Sequence, residues 1–160
     1  MDTVFTAVFT GYKSLYLLHN SFILDSRATT HICNNRQQFK DFVTALEILL
    51  IGDSYIHVEG YGTVQINLTR PLGKVNIKLA QVAFIPTFQT NTVSYHHLLK
   101  KDIHWDTQQG ILTLGGKLWC QLIDMYEQFV VEYQPAAAAF PADSRALRLA
   151  LHGTIERWHQ

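Results

Sequence analysis

The residue with the clearest chemical potential is Asp25, which follows an apolar run at residues 22–24 and opens a turn rich in small hydroxyl side chains, with Ser26 beside it. Two carboxylates that share one proton can activate a water molecule. Like charges held that close cannot both ionise comfortably, so one group stays an acid while the other is a base. This stretch delivers one such aspartate, and we therefore expect the chain to need a second copy to assemble the pair.

The letters of residues 25–28 recur at residues 143–146, which raises the alternative of a second catalytic half within the same chain. No apolar strand precedes this repeat, and a proline- and alanine-rich stretch does. Asp143 or Ser144 therefore fits the N-cap of a helix better than a second reactive carboxylate.

Histidine and cysteine side chains offer the next candidate chemistry, as metal ligands. His31 and Cys33 stand two residues apart, and His96, His97 and His104 add imidazoles further along the chain. None of them falls into the spacing of a four-ligand site. We interpret each histidine as either hydrogen-bonded within the fold or exposed to solvent. We predict neither a metal nor a cofactor.

Composition and charge narrow the possible partners. A chain of 160 residues with 48% hydrophobic and 16% charged residues is typical of one principal folded domain. Thirteen basic residues balance 13 acidic ones, so no overall positive field attracts DNA or RNA. Aromatic residues such as Trp105 and Trp119 are more typical of a core than of a base-stacking platform. We predict no nucleic-acid partner.

The cysteine count and the first residues bear on location. Cys33 and Cys120 are too few for a disulfide framework, which favours a reducing, intracellular and cytoplasmic compartment. Asp2 and Lys13 interrupt the apolar character of residues 1–24, where we expect neither a membrane span nor an export signal.

Hydrophobic periodicity indicates an all-β body. Apolar and polar side chains alternate over residues 57–68, which predicts a half-buried strand pair. Gly60 and Gly62 remove side chains from its apolar side, so we expect either a sharp bend with a flexible hairpin or the close approach of another backbone. A further strand is predicted over residues 74–85, with a slip in phase near Gln81. Short strands are predicted at residues 103–106, 111–114 and 117–123, the last two separated by a hairpin signal at Gly115 and Gly116.

Helical signals are few. Residues 93–101 lack glycine and proline and end in two lysines, which predicts one short helix. Two prolines bracket four alanines within residues 134–143, which is typical of a linker, and a second helix is expected over residues 145–152. The predicted organisation is an uncertain leader at 1–20, a barrel domain at 21–125, a linker at 126–145 and a helical tail at 146–160. We expect the linker and the second helix to pack loosely against the barrel.

The motif at residues 25–31, DSRATTH, resembles the Asp-Ser-Gly-Ala-Thr-x-His motif of copia-type retrotransposon Pol polyproteins. The resemblance continues with GDSYIHVEGYGTV at residues 52–64, similar to the flap region of that family, and with FIP at 84–86. It extends through TNTVSYHHLLKKDIHWD at 90–106 to RWHQ at 157–160, which resembles the opening of the pre-integrase motif. Five weak motifs in the family's order make chance agreement improbable.

The resemblance implies an all-β, retropepsin-like closed β-barrel that is a homodimer when active and takes a polypeptide substrate. It implies that Asp25 is the catalytic carboxylate and that Ser26 braces it across the dimer axis. The substrate contacts that it implies are Ala28, Thr29, Gly60, Tyr61 and Gly62.

The departure from the family pattern is Arg27, which stands where the family has glycine. We expect a conformation open mainly to glycine at this place and little room for a side chain beside the paired carboxylates. A guanidinium close to the pair would favour the ionised form of both groups and remove the proton that they share. Two functions therefore stay open: a catalytically impaired barrel, and an active aspartic endopeptidase that processes its own polyprotein.

Overall fold

A computed structural model describes residues 16–51 and 53–136, which fold into a mostly β structure with one short α-helix. In chain order the elements are β1 (Phe22–Asp25), β2 (Ile32–Cys33), a 3₁₀ turn (Arg36–Gln38), β3 (Phe39–Ile51), β4 (Ser54–Arg70), β5 (Gly73–Phe84), β6 (Asn91–Ser94), α1 (Tyr95–Lys100), β7 (Ile103–Asp106), β8 (Ile111–Leu114), β9 (Lys117–Gln121), β10 (Ile123–Met125) and β11 (Gln128–Glu132).

Two sheets account for all of these strands. The larger has eight strands in the order β10-β11-β1-β6-β2-β5-β4-β3, and the smaller has three in the order β7-β8-β9. Most neighbours are antiparallel, but β1 runs parallel to β6 and β2 runs parallel to β5. The first strand is thus an inner strand of the large sheet, flanked by β11 and β6.

The main core lies between the two sheets. Trp105 and Trp119 from the small sheet pack against side chains of the large one, and β9 contacts β4. The fully buried apolar side chains of this core come from strands on both sides: Phe22, Cys33, Val64, Ile66, Leu68, Val82, Val93, Leu112, Cys120 and Val131.

The large sheet bends far enough for β11 to contact β4, although backbone pairing does not join these two strands in the described part of the chain. A side chain joins them instead: the buried carboxylate of Glu132 accepts a hydrogen bond of 2.7 Å from the backbone N–H of Asn67. The all-β expectation is confirmed. The closed barrel is not, because the hydrogen-bonded order of the described strands ends at β10 and β3.

The strand pair and hairpin predicted for residues 57–68 is wrong, because β4 runs without interruption from Ser54 to Arg70. The alternative expectation, close approach of another backbone, is confirmed. A Cβ at Gly60 would lie 2.6 Å from the carbonyl oxygen of Val43, and one at Gly62 would lie 3.0 Å from that of Lys40. Both glycines therefore make room for β3.

The remaining short elements follow the sequence with shifted boundaries. Two of the predicted strands coincide with β7 and β8, whereas the one predicted over 117–123 breaks at Leu122 into β9 and β10. The predicted helix is present as α1, but residues 93–94 belong to β6.

The boundary drawn at residue 125 is too early, since β11 lies within the stretch predicted to be a linker. Its Val130 and Val131 are buried, and it pairs with β1. Even Gln134 is held, because its backbone N–H donates to Ser21 Oγ and its carbonyl oxygen accepts from the same hydroxyl. The predicted tail helix at 145–152 and residues 1–15 of the leader predicted at 1–20 lie outside the described residues. The described end of that leader is buried, since Tyr16, Leu17 and Leu18 belong to one cluster with Ile23 and Val130.

Candidate functional site

Asp25 is the last residue of β1, and the chain turns immediately after it, as the sequence predicts. The three residues before it are buried, whereas Asp25 itself is partly buried. Its Oδ1 accepts hydrogen bonds from the backbone N–H of Arg27 at 2.8 Å and of Ala28 at 3.3 Å. An inner strand and two backbone donors therefore fix the orientation of this carboxylate.

Ser26, Arg27 and Thr29 are exposed in this turn, while Ala28 is partly buried. The expectation of a glycine-only conformation is wrong, since Arg27 is not among the described residues with positive φ. Nor does Arg27 form an ion pair with Asp25 in the described chain, where the one ion pair joins His104 to Asp102. The arginine thus enters the turn without backbone strain, and its charge faces solvent.

Ser94 ties this turn to the rest of the fold. It lies opposite Asp25 in the parallel pairing of β1 with β6. Its Oγ donates to the carbonyl oxygen of Ala28 at 2.6 Å and accepts from the backbone N–H of His97 at 3.2 Å, so one buried hydroxyl anchors the turn and caps α1. Sequence reasoning missed this residue, although a serine three positions before the N–H that it caps is an ordinary helix-start signal.

His31, the last residue of the motif, is buried, and its Nδ1 accepts a hydrogen bond of 2.9 Å from the backbone N–H of Ser94. Burial lowers the pKa of His31 to about 4, with further contributions from nearby His97 and Lys101. The ring of His97 lies 4.9 Å away, centroid to centroid. A neutral His31 is therefore a structural acceptor that links the motif to β6 and α1.

The other predicted site residues lie on a different part of the large sheet. Gly60, Tyr61 and Gly62 belong to β4, which is separated from β1 by β5, β2 and β6 in the sheet order. The hydroxyl of Tyr61 donates to Glu47 Oε2 at 2.7 Å, and burial, followed by this hydrogen bond, raises the pKa of Tyr61 to about 12. Backbone pairing within one chain does not bring these residues beside Asp25.

A cavity of about 670 Å³ opens along β3 and β4 and is walled by Arg36. We call it the β3–β4 groove. The guanidinium of Arg36 lies 4.0 Å over the ring of Phe42, another lining residue, in a cation–π contact. The remaining lining residues are Thr44, Leu46, Glu47, Ile48, His57, Val58, Glu59 and Phe84. None of the residues of the Asp25 turn takes part in this lining.

The described residues contain no group of three or more histidine, cysteine, aspartate or glutamate side chains placed to hold a metal ion. No helix in the described part of the chain is both long and apolar enough to cross a membrane.

A family model for the beta-barrel domain of Pol polyproteins matches residues 22–103. The chain belongs to this family. The match begins with β1 and ends at the first residue of β7, so it includes the Asp25 turn, the β3–β4 groove and α1. The strands from β8 to β11 lie beyond the matched residues. No curated protein matches the chain, and no solved structure does.

Proposed function

We propose that this Pol polyprotein beta-barrel domain comes from a copia-type retrotransposon, that it has a retropepsin-like architecture, and that its peptidase activity is impaired. Membership of the family and the motif around Asp25 support the first part. The retropepsin-like architecture is supported by a mostly β fold in which the inner strand β1 ends at Asp25, just before a turn.

The observation that carries the impairment is the exposed Arg27 two residues after Asp25, in the turn that a second copy must approach to complete the pair of carboxylates. Within a dimer of this kind, two guanidinium groups would crowd one axis. A positive charge close to both carboxylates favours their ionised forms, and a pair that no longer shares a proton lacks its acid. The side chain also fills space beside the attacked peptide bond.

The second candidate function is an active, homodimeric aspartic endopeptidase that processes a Gag-Pol polyprotein. The geometry of Asp25 favours it, since two backbone N–H groups hold the carboxylate in one orientation. In this case Ser26 braces the pair across the axis. Ala28, Thr29 and residues 60–62 contact the polypeptide substrate, with the residues of β4 supplied by the flap of the dimer.

Incubation of the chain with peptides that span its own polyprotein junctions tests the proposal. We expect no pepstatin-sensitive cleavage at any pH between about 4 and 7, the range in which a carboxylate pair can share one proton. Cleavage by the unmodified chain that disappears in Asp25→Ala would establish the second function and end the first.

A further inference from the structure

The third strand, β3, is the last strand of the large sheet and pairs with β4 alone in the described chain. Its first half is irregular: the register against β4 shifts between Lys40 and Val43 and again between Thr44 and Glu47, and Asp41 has a φ of 54°. Bulges of this kind protect an edge strand from pairing with other chains. Beyond Glu47 the ladder is regular up to Ile51, so residues 47–51 form an edge without this protection. We call them the open edge.

The open edge is apolar where it meets solvent. Leu46, Ile48 and Leu50 are 82%, 59% and 63% exposed, and Tyr55, which lies opposite Leu50 on β4, is 73% exposed. The other face of the β3–β4 hairpin is part of the core, since Leu49 packs against a buried cluster that includes Ile32. One face of this hairpin is therefore part of the core, and the other offers apolar side chains beside unpaired backbone groups.

We propose that the open edge pairs antiparallel with the open edge of a second copy of this chain, about a two-fold axis at Leu49. In this register Ile48 lies opposite the partner's Leu50, and Leu50 lies opposite the partner's Ile48. Each sheet then continues into the other, and an apolar row forms from Tyr55 through Leu50 to the partner's Ile48.

Charge and sequence symmetry favour a second copy as the occupant. Glu47 is the one charged residue of the open edge, and the two-fold axis places it opposite the partner's Ile51 and not opposite the partner's Glu47. The two carboxylates then stand at opposite ends of the paired segment, where their repulsion is screened. Each already accepts a hydrogen bond from Tyr61 of its own chain.

The available area fits a reversible association. A leucine or isoleucine side chain presents on the order of 100 Å² of apolar surface and a tyrosine about 200 Å². From the exposed fractions of Leu46, Ile48, Leu50 and Tyr55, the pair brings together at most about 700 Å² of side-chain surface, which is below the size of a standard specific interface. The association is therefore expected to be weak and dependent on concentration.

Sedimentation velocity of the full chain over a series of concentrations is the first test. We expect a reversible monomer–dimer equilibrium that Ile48→Lys combined with Leu50→Lys abolishes, because four lysines would face each other across the axis. Leu72→Lys is the matched control: Leu72 is fully exposed in the turn before β5, so this variant associates like the parent chain. Circular dichroism confirms that each variant is folded. A parent chain that stays monomeric, or a dimer that survives both lysines, would overturn the proposal.

Disulfide trapping tests the register. Single variants Ile48→Cys and Leu50→Cys, mixed and mildly oxidised, should form more cross-linked heterodimer than either gives alone, because these positions lie opposite each other. The native Cys33 and Cys120 are buried, and burial raises the pKa of each thiol to about 11, so they resist oxidation. Leu46→Cys mixed with Ile48→Cys is the control. Equal cross-linking in both mixtures would contradict the pairing about Leu49. Asp25→Ala, which belongs to the proposed peptidase site, should leave both measurements unchanged.

Discussion

At the scale of single residues, the motif at 25–31 contains two residues with different roles. Asp25 presents a carboxylate held by two backbone N–H groups, whereas His31 turns inward and accepts a hydrogen bond from the backbone of Ser94. The sequence predicts the first of these placements, because a strand followed by small polar residues must end in a turn. It does not predict the second, since the partner of His31 lies 63 positions away and is a backbone group.

The buried His31 gives the chain a defined pH dependence. Its pKa falls from an ordinary 6.5 to about 4 on folding, so the unfolded chain binds a proton between these values and the folded chain does not. Stability from this residue is complete above pH 6.5 and is lost as the pH falls towards 4, by on the order of 3 kcal/mol.

Urea unfolding of the parent chain and of His31→Asn at several pH values measures this contribution. The variant keeps a polar side chain but cannot gain a proton, so the difference between the two chains cancels the titration of the carboxylates and of the other histidines. We expect the parent to lose stability relative to the variant between pH 6.5 and 4. A constant difference across that range would show that His31 does not titrate as described.

At the scale of elements, β4 and β3 show where sequence periodicity succeeds and fails. The alternation of residues 57–68 predicts a strand, and the glycines mark the place where β3 comes close. The prediction of a hairpin at these glycines is wrong because the sequence does not distinguish a glycine that makes room for a neighbouring backbone from one that turns the chain. No strand is predicted over Phe39–Ile51, since its two register shifts break the period of two.

The turns around the small sheet are simpler to predict. Gly110, Gly115 and Gly116 all have positive φ, a conformation that suits glycine, and they separate strands that coincide with or lie close to those expected. By contrast, β11 is missed because its five residues follow a turn at Tyr126 and Glu127. Both of these residues have positive φ without being glycine, so no sequence signal announces the turn.

Replacement of the two glycines of β4 should destabilise the chain to different degrees. A Cβ at Gly60 would overlap Phe42 Cζ and lie 2.6 Å from a backbone oxygen, whereas the nearest atoms at Gly62 are at 3.0 Å. Gly60→Ala should therefore cost about 3 kcal/mol and Gly62→Ala about 1 kcal/mol in the free energy of unfolding. Urea titration of both variants beside the parent measures this order. Equal losses, or a larger loss at Gly62, would mean that β3 does not approach β4 at these glycines as described.

At the scale of the whole molecule, the large sheet is held in its bent shape partly by one buried carboxylate. Glu132 accepts from the backbone N–H of Asn67 through Oε2 and from Gln134 Nε2 through Oε1, and so connects the end of β11 to the C-terminal part of β4. Contacts between strands so distant in sequence cannot be predicted from periodicity, which specifies elements and faces but not which edges meet.

Loss of this carboxylate should weaken the whole fold. Glu132→Ala leaves the part-buried N–H of Asn67 without its partner, and the loss of such a hydrogen bond costs about 1 kcal/mol. The matched control is Asp124→Ala, an exposed carboxylate on β10, for which a change within about 0.5 kcal/mol is expected. Urea unfolding of both variants gives the comparison, and a cost at position 132 no larger than at 124 would show that β11 and β4 hold together without this bond.

Under the proposed function, Arg27 disables a fold that otherwise holds Asp25 in place for catalysis. The most direct test is a cleavage assay on junction peptides, with the parent chain and Arg27→Gly side by side between about pH 4 and 7. We expect the parent chain to cleave none of the peptides and Arg27→Gly to cleave them. Pepstatin should inhibit this cleavage, and adding Asp25→Ala should abolish it. A parent chain that already cleaves, or a folded and dimeric Arg27→Gly chain that does not, would contradict the assignment of the defect to Arg27.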